Sequence, residues 1–288
     1  MLSAVARSFA GSLLSAAALT LSFAPVAVGA DAAALPDPDG KPADMSKPAQ
    51  VYILLGQSNM LGFGKIEPGK GEPDGSLRHA VTEKKLYPYL VDEAGNWTER
   101  KDVRNVRVMG SGLGGMRQFN NEWLTIKGRT IGPEVGIGHH LGEAIEAPVL
   151  ILKSCIGNRA LGWDLLPPGS KGYNFDNFTY AGYHQSPMKW PEGTKPVPMG
   201  WAAGIQYDGD IYRANHVLGN LSTFYPGQTC YEVAGFFWWQ GDKDSRDMGL
   251  ASHYEENLVA LIKALRVQYD SPKAKVTTSY KQPFLLAT

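Results

Sequence analysis

Three short apolar runs constrain this chain more than any other feature. Val51-Tyr-Ile-Leu-Leu55, Pro148 to Lys153 and Val233 to Trp239 are too short for buried helices and are bounded by glycine or polar residues, the pattern of buried strands. Helical spacing lies between them, over Glu134 to Ile145 and Ile211 to Leu221. Ser252-His-Tyr-Glu255 has the form of a capping box, with Leu258, Leu261, Ile262 and Leu265 on one face behind it. Pro283 to Thr288 is a further strand candidate, and residues 160 to 205, dense in Gly, Pro and aromatics, read as a long surface excursion. Strands separated by helices imply an α/β fold with a parallel sheet covered on both faces.

Each of the three runs leads straight into a polar cluster: Gly56-Gln-Ser-Asn-Met60, Ser154-Cys-Ile-Gly-Asn158 and Gln240-Gly-Asp-Lys-Asp244. In a parallel sheet all three lie at one carboxyl edge, where open α/β folds build ligand sites. Ser58, two residues after Gly56 at a strand-to-helix turn, has the place of an exposed nucleophile and equally that of a helix N-cap. Gly157, Asn158 and Gln240 could bring amide donors to an oxyanion; a turn glycine and loop-capping carboxamides would look the same. Gly110-Ser-Gly-Leu-Gly-Gly115 fits G-x-G-x-x-G, but no helical pattern follows it, so dinucleotide binding is not expected. His139-His140 with Glu143 is not H-E-x-x-H, and no metal is expected. The tryptophans 163, 190, 201, 238 and 239 could stack on sugar rings or simply fill the core.

Lys+Arg and Asp+Glu are 28 each, so no basic excess exists to hold a nucleic-acid backbone. The N-terminus carries Arg7, an uncharged small and apolar stretch from Ala10 to Val28, and Val28-Gly29-Ala30 as a cleavage pattern. We therefore expect a signal peptide over residues 1–30, export to the periplasm or the extracellular space, and no membrane insertion after cleavage. A flexible leader is expected over 31–48 and one domain over 49–288. Export permits a disulfide between Cys155 and Cys230, but each adjoins an apolar run where a lone buried cysteine is common.

Taken together, the motifs resemble those of the sialate O-acetylesterase and acetylxylan esterase group (carbohydrate esterase family six) of the SGNH/GDSL hydrolases, from about Gln50 onward. Gly56-Gln-Ser-Asn-Met60 is similar to the family's nucleophile block, Gly132-Pro-Glu134 to a helix-start block, Ile156-Gly-Asn158 to the oxyanion glycine region, and Trp239-Gln-Gly-Asp242 to the block W-x-Q-G-E. The resemblance implies a three-layer, flavodoxin-like domain that hydrolyses acetyl esters on carbohydrates without a cofactor. It implies Ser58 as nucleophile, the oxyanion held by the Ser58 amide, Gly157 and Gln240, Asn158 near the same pocket, and Asp242 organising the site where the family has Glu. Gly157-Asn158 departs from the commoner Gly-Gly.

The family's C-terminal Asp-x-x-His block, which supplies the base and its orienting acid, has no counterpart. None of His79, His139, His140, His184, His216 and His253 follows the last strand candidate. The expectation is a truncated copy lacking its final strand-loop-helix and its catalytic base, unless the fold brings His184 or His253 to Ser58. The competing readings are a non-catalytic carbohydrate-binding protein and an esterase for non-sugar esters. The first retains saccharide binding after Ser58→Ala; the second prefers longer acyl chains.

Overall fold

A computed structural model of the chain describes residues 40–269 and 284–287. The expected signal peptide and the first half of the leader lie outside the described residues. Six strands form the main sheet: β1 (Ala49–Gly56), β2 (Glu99–Ser111), β3 (Gly114–Thr125), β4 (Val149–Ser154), β5 (Tyr231–Trp239) and β6 (Phe284–Ala287). Their order is β6-β5-β1-β4-β2-β3, parallel throughout except for β3, which returns antiparallel along β2. The chain is thus mixed α/β with a mainly parallel sheet, and the three polar clusters leave neighbouring strands β5, β1 and β4 at one edge.

The period-two alternation of β1 decides its packing. Leu54 faces a layer built by α1 (Glu134–Ala144), whose Ile137 and Leu141 pack there with Val103, Val149 and Ile151. Val51, Ile53 and Leu55 face the opposite layer, where α2 (Ile205–Gly219) supplies Ala214 and Val217 and α3 (Tyr254–Tyr269) supplies Leu261 and Leu265. Each fully buried aliphatic side chain contributes about 2 kcal/mol by leaving water. Both cysteines are free: Cys155 is buried just past the carboxyl end of β4, and Cys230 is exposed just before the amino end of β5. Parallel strands hold those two points at opposite edges, and burial pushes the Cys155 thiol up to about 12.

Four local expectations change. Ser252 donates to the Gly249 carbonyl (2.8 Å) and ends the short helix Met248–Ser252, so the capping box does not form and α3 begins at Tyr254. The helix expected from Ile211 starts at Ile205 and breaks at Asn220, ahead of a turn over Leu221–Phe224. The excursion is not mere surface: a three-stranded antiparallel sheet (Tyr173–Phe175, Phe178–Tyr180, Lys189–Pro191) encloses its own core around Ala160, Trp163, Leu166 and Tyr180. The end of the expected leader is tied down, with the Asp44 N–H on the Glu146 carbonyl (2.8 Å), Lys47 on the Glu146 carboxylate (2.6 Å) and Gln228 on the Met45 carbonyl (3.1 Å).

The β2–β3 hairpin falls where the sequence reading assigns no element. It carries Arg100, Asp102, Arg104 and Arg107, and its pairing shifts register at three places. Its tip is the glycine-rich segment 110–115, held by a guanidinium. Arg213, fully buried on α2, donates to the carbonyls of Gly112 (2.5 Å), Gly115 (2.8 Å) and Gly114 (3.2 Å), with Asp210 beside it at 3.4 Å. A Cβ on Gly110 would fall 2.4 Å from that guanidinium, which is why glycine is needed there.

His139 of α1 is a core residue: it is 1% exposed, its ring lies 5.0 Å from that of Tyr89, and neither ring nitrogen has a hydrogen-bond partner. Burial, then the nearby Arg100 and His140, push its pKa down to about 4. The unfolded chain takes the proton near pH 6.5 and the folded protein resists it, so stability is lost as pH falls through this window. We expect His139→Leu to remove about 3 kcal/mol of the acid-induced loss between neutral pH and pH 4, read as a flatter dependence of urea midpoint on pH.

Candidate active site

Gly56 ends β1 with φ +141°, and a Cβ there would sit 2.2 Å from the Trp239 carbonyl oxygen. Only glycine lets β1 and β5 close so tightly before the chain turns. Gln57 follows, buried, with its N–H on the Trp239 carbonyl (3.1 Å). Ser58 opens the one-turn helix Ser58–Leu61.

That turn is held from beneath by a charge. Lys153, the fifth residue of β4, is 1% exposed and pairs with Glu134 at 2.5 Å. The same ammonium donates to the Leu61 carbonyl (3.2 Å), and Glu134 in turn accepts from the Gly132 N–H (3.2 Å). Gly62 and Gly132 touch backbone to backbone; a Cβ on Gly62 would lie 2.3 Å from the Gly132 Cα. The end of the Ser58 turn is thereby fastened to β4 and to the start of α1.

Ser58 is half-buried, and its hydroxyl has no hydrogen-bond partner among the described residues. Gly157 comes beside it: a Cβ at 157 would stand 3.7 Å from the Ser58 Cβ, ordinary contact. The backbone N–H groups of Ser58 and Gly157 have no acceptor among the described residues, as an oxyanion site requires. Asn158 is exposed with φ +59°, a left-handed turn residue, and its carboxamide makes no hydrogen bond among the described residues.

Gln240 and Asp242 do not take the places the motif assigns them. The Gln240 amide nitrogen faces the Asp244 carboxylate (2.5 Å), the Arg159 carbonyl (2.9 Å) and the Gln57 side-chain oxygen (3.3 Å). Its two hydrogens are spent on these, so it has no donor left for an oxyanion; its Oε1 is buried without a partner and is an acceptor. Asp242 is exposed and pairs with Arg246 at 2.8 Å, an ion pair in solvent that organises nothing inside. The organising carboxylate is Asp244, 1% exposed, which accepts from the N–H groups of Gly162 (2.8 Å) and Leu161 (2.9 Å) as well as from Gln240. Burial holds its carboxyl above the usual carboxylate range, against the pull of those bonds. A cavity of about 470 Å³ opens here, lined by Asn59, Trp239, Gln240, Asp242, Asp244 and Tyr254 among others.

No described histidine bonds to Ser58. His184 holds Asp208 at 2.7 Å and stacks on Tyr183. His253 stacks on Tyr173, ring centroids 3.5 Å apart, with Nδ1 3.0 Å from the Ser252 hydroxyl. His79 lies 3.4 Å from Asp74, His140 packs on Tyr89 and His216 is exposed on α2. No group of His, Cys, Asp and Glu among the described residues could hold a metal ion. Lys153, Glu134 and Asp244 are the site residues whose roles the sequence reading did not assign. Lys153 had a visible signal, a lone charge closing an apolar strand run.

No family model matches the chain, and no curated protein matches it. Solved structures similar to it include a protein from Arabidopsis thaliana at 14% identity and TM-score 0.43, covering 84% of this chain and 85% of that one. NanS matches at 17% identity and TM-score 0.43, over 83% of this chain and 68% of NanS. A carbohydrate acetylesterase from Xanthomonas citri matches at 18% identity and TM-score 0.37, over 82% of this chain and 41% of that protein.

Replacing Lys153 by Met strands the Glu134 carboxylate and frees the Leu61 carbonyl. We expect a loss of about 3 kcal/mol in urea unfolding. The neighbouring substitution Glu134→Gln, which keeps a hydrogen-bond acceptor for the ammonium, is expected to cost less.

Proposed function

We propose that the domain is an exported carbohydrate O-acetylesterase of the SGNH type, acting through Ser58. The observation that carries this reading is the meeting, at one sheet edge, of an unpartnered serine hydroxyl with the free N–H groups of Ser58 and Gly157. Ser58 Oγ adds to the acetyl carbonyl carbon as a base takes its proton, and the carbonyl electron pair moves onto oxygen. The two N–H groups hold that oxyanion; each such donor is worth about 3 kcal/mol in the transition state. Collapse breaks the ester bond, the sugar oxygen leaves with the proton, and water repeats the sequence on the acetyl-serine to give acetate and free Ser58. In this reading Asp244 holds Gln240, Leu161 and Gly162 in place.

The reaction needs a general base, and the described histidines are engaged elsewhere or stand apart from Ser58. That observation favours one second reading, a carbohydrate-binding protein that keeps the cleft without turnover. The two separate on acetylated xylo-oligosaccharide and a serine-directed fluorophosphonate. The esterase reading expects acetate release, label on the peptide containing Ser58, and a loss of about 10³-fold or more in Ser58→Ala. Acetate release unchanged in Ser58→Ala would overturn it. Saccharide binding that survives Ser58→Ala, with neither label nor acetate, would establish the second reading.

A further inference from the structure

Asn158 holds φ +59°, a backbone conformation that a residue with a side chain keeps only where its surroundings impose it. Neither Gly157 nor Asn158 makes a hydrogen bond among the described residues, so the restraint comes from the next residue. Arg159 is gripped at both ends. Its carbonyl accepts from the Gln240 amide nitrogen (2.9 Å), which also meets the side-chain oxygen of Gln57, the neighbour of Ser58 (3.3 Å). Its half-buried side chain donates from Nε to Gln206 Oε1 (3.2 Å) and from Nη2 to the Ser111 hydroxyl (2.9 Å). The guanidinium carbon lies 4.8 Å from the centre of the Trp201 ring.

The anchors are themselves fixed. Gln206, fully buried on α2, also accepts from the Gly112 N–H at Oε1 (2.9 Å) and donates from Nε2 to the Gly110 carbonyl (3.0 Å) and to Asp210 (2.8 Å). Trp201 packs on the same hairpin tip, where a Cβ on Gly112 would lie 3.2 Å from its ring. Asp164, 6% exposed, stands 3.9 Å from Arg159 Nε as a counter-charge. Only a planar, charged fork with a stacking face meets all of these partners at once. An oxyanion donor must stand about 2.7–3.1 Å from the developing charge, and a misplacement of about 1 Å costs about 100-fold in rate. A turn whose donor residue is unanchored therefore depends on the residue beside it that is anchored.

We propose that Arg159 is a positioning residue for the reaction at Ser58: its guanidinium fixes the turn that carries the Gly157 N–H and so sets that donor against the one on Ser58. The proposal deepens the esterase reading of this edge and rests on it. The test measures the rate at which a serine-directed fluorophosphonate labels Ser58, with kcat and KM for acetate release from acetylated xylo-oligosaccharide, in the full chain. Arg159→Met keeps a side chain against Trp201 and leaves Gln206 its other three bonds, so it is expected to fold with little change in melting temperature. Its labelling rate and kcat are expected to fall about tenfold while KM changes less than about twofold, because a displaced N–H is missed in the transition state rather than in the ground state. Arg159→Lys is expected not to rescue, since an ammonium cannot hold Gln206 and Ser111 through one rigid fork. Ser111→Ala removes an exposed hydroxyl whose partner among the described residues is Arg159. It is expected to lower kcat about threefold alone and to add nothing in Arg159→Met, a dependence that a purely structural role would not produce. Labelling of the wild-type chain that proceeds as fast in Arg159→Met would overturn the proposal alone. A wild-type chain that neither labels nor releases acetate would overturn the esterase reading, and the proposal with it.

Discussion

The architecture of the Ser58 edge depends on an ammonium group kept out of water. Lys153 is buried near the carboxyl end of a central strand, where an unpaired charge would cost several kcal/mol. Glu134 and the Leu61 carbonyl make the position tolerable, and both come from elements that must then stay where they are. A buried ion pair adds little net stability over apolar side chains of the same size, but it admits very few geometries. Here its geometry sets the register between β4, the start of α1 and the turn that presents Ser58.

The sequence made the skeleton legible where apolar runs were pure. The segments 51–55, 148–153 and 233–239 could only be strands, and polar clusters at their ends could only gather if those strands ran parallel. What stayed hidden was whatever folding did with charge. The β2 strand gives no strand signal in the sequence, because Arg100, Asp102, Arg104 and Arg107 interrupt its apolar residues. Pairing Arg100 with Asp102 at 2.7 Å, and laying Arg104 over the Trp123 ring at 4.9 Å, makes those charges compatible with a sheet. The glycine-rich tip was ambiguous for the same reason: its use is to expose carbonyls to Arg213, a partner about 100 residues away in sequence.

At the site, Gln240 and Asp242 are engaged differently from what the resemblance implies for them. Ser58 and Gly157 converge as their strand ends require. Gln240 also arrives, but its donors are consumed before a ligand comes, because Asp244 lies within reach and Asp242 does not. One-dimensional spacing cannot tell which of two carboxylates, two residues apart, turns inward; burial settles it, with Asp244 1% exposed and Asp242 facing solvent. The edge therefore brings two open N–H groups beside an unpartnered serine hydroxyl, and no described histidine bonds to that hydroxyl.

The irregular pairing of β2 with β3 bears on how this protein behaves among its own copies. β3 is the outermost strand of the sheet on its side, twelve residues long and mostly uncovered. A straight strand of that length would offer an open ladder to any extended chain in solution. The breaks at Arg100/Arg104, Arg107/Val108 and Met109/Ser111 bend the hairpin. Arg117 and Glu122 add charge along the border strand itself. A foreign strand laid there loses its pitch within a few residues, so a protein with zero formal net charge has a geometric safeguard against edge-to-edge aggregation in place of electrostatic repulsion.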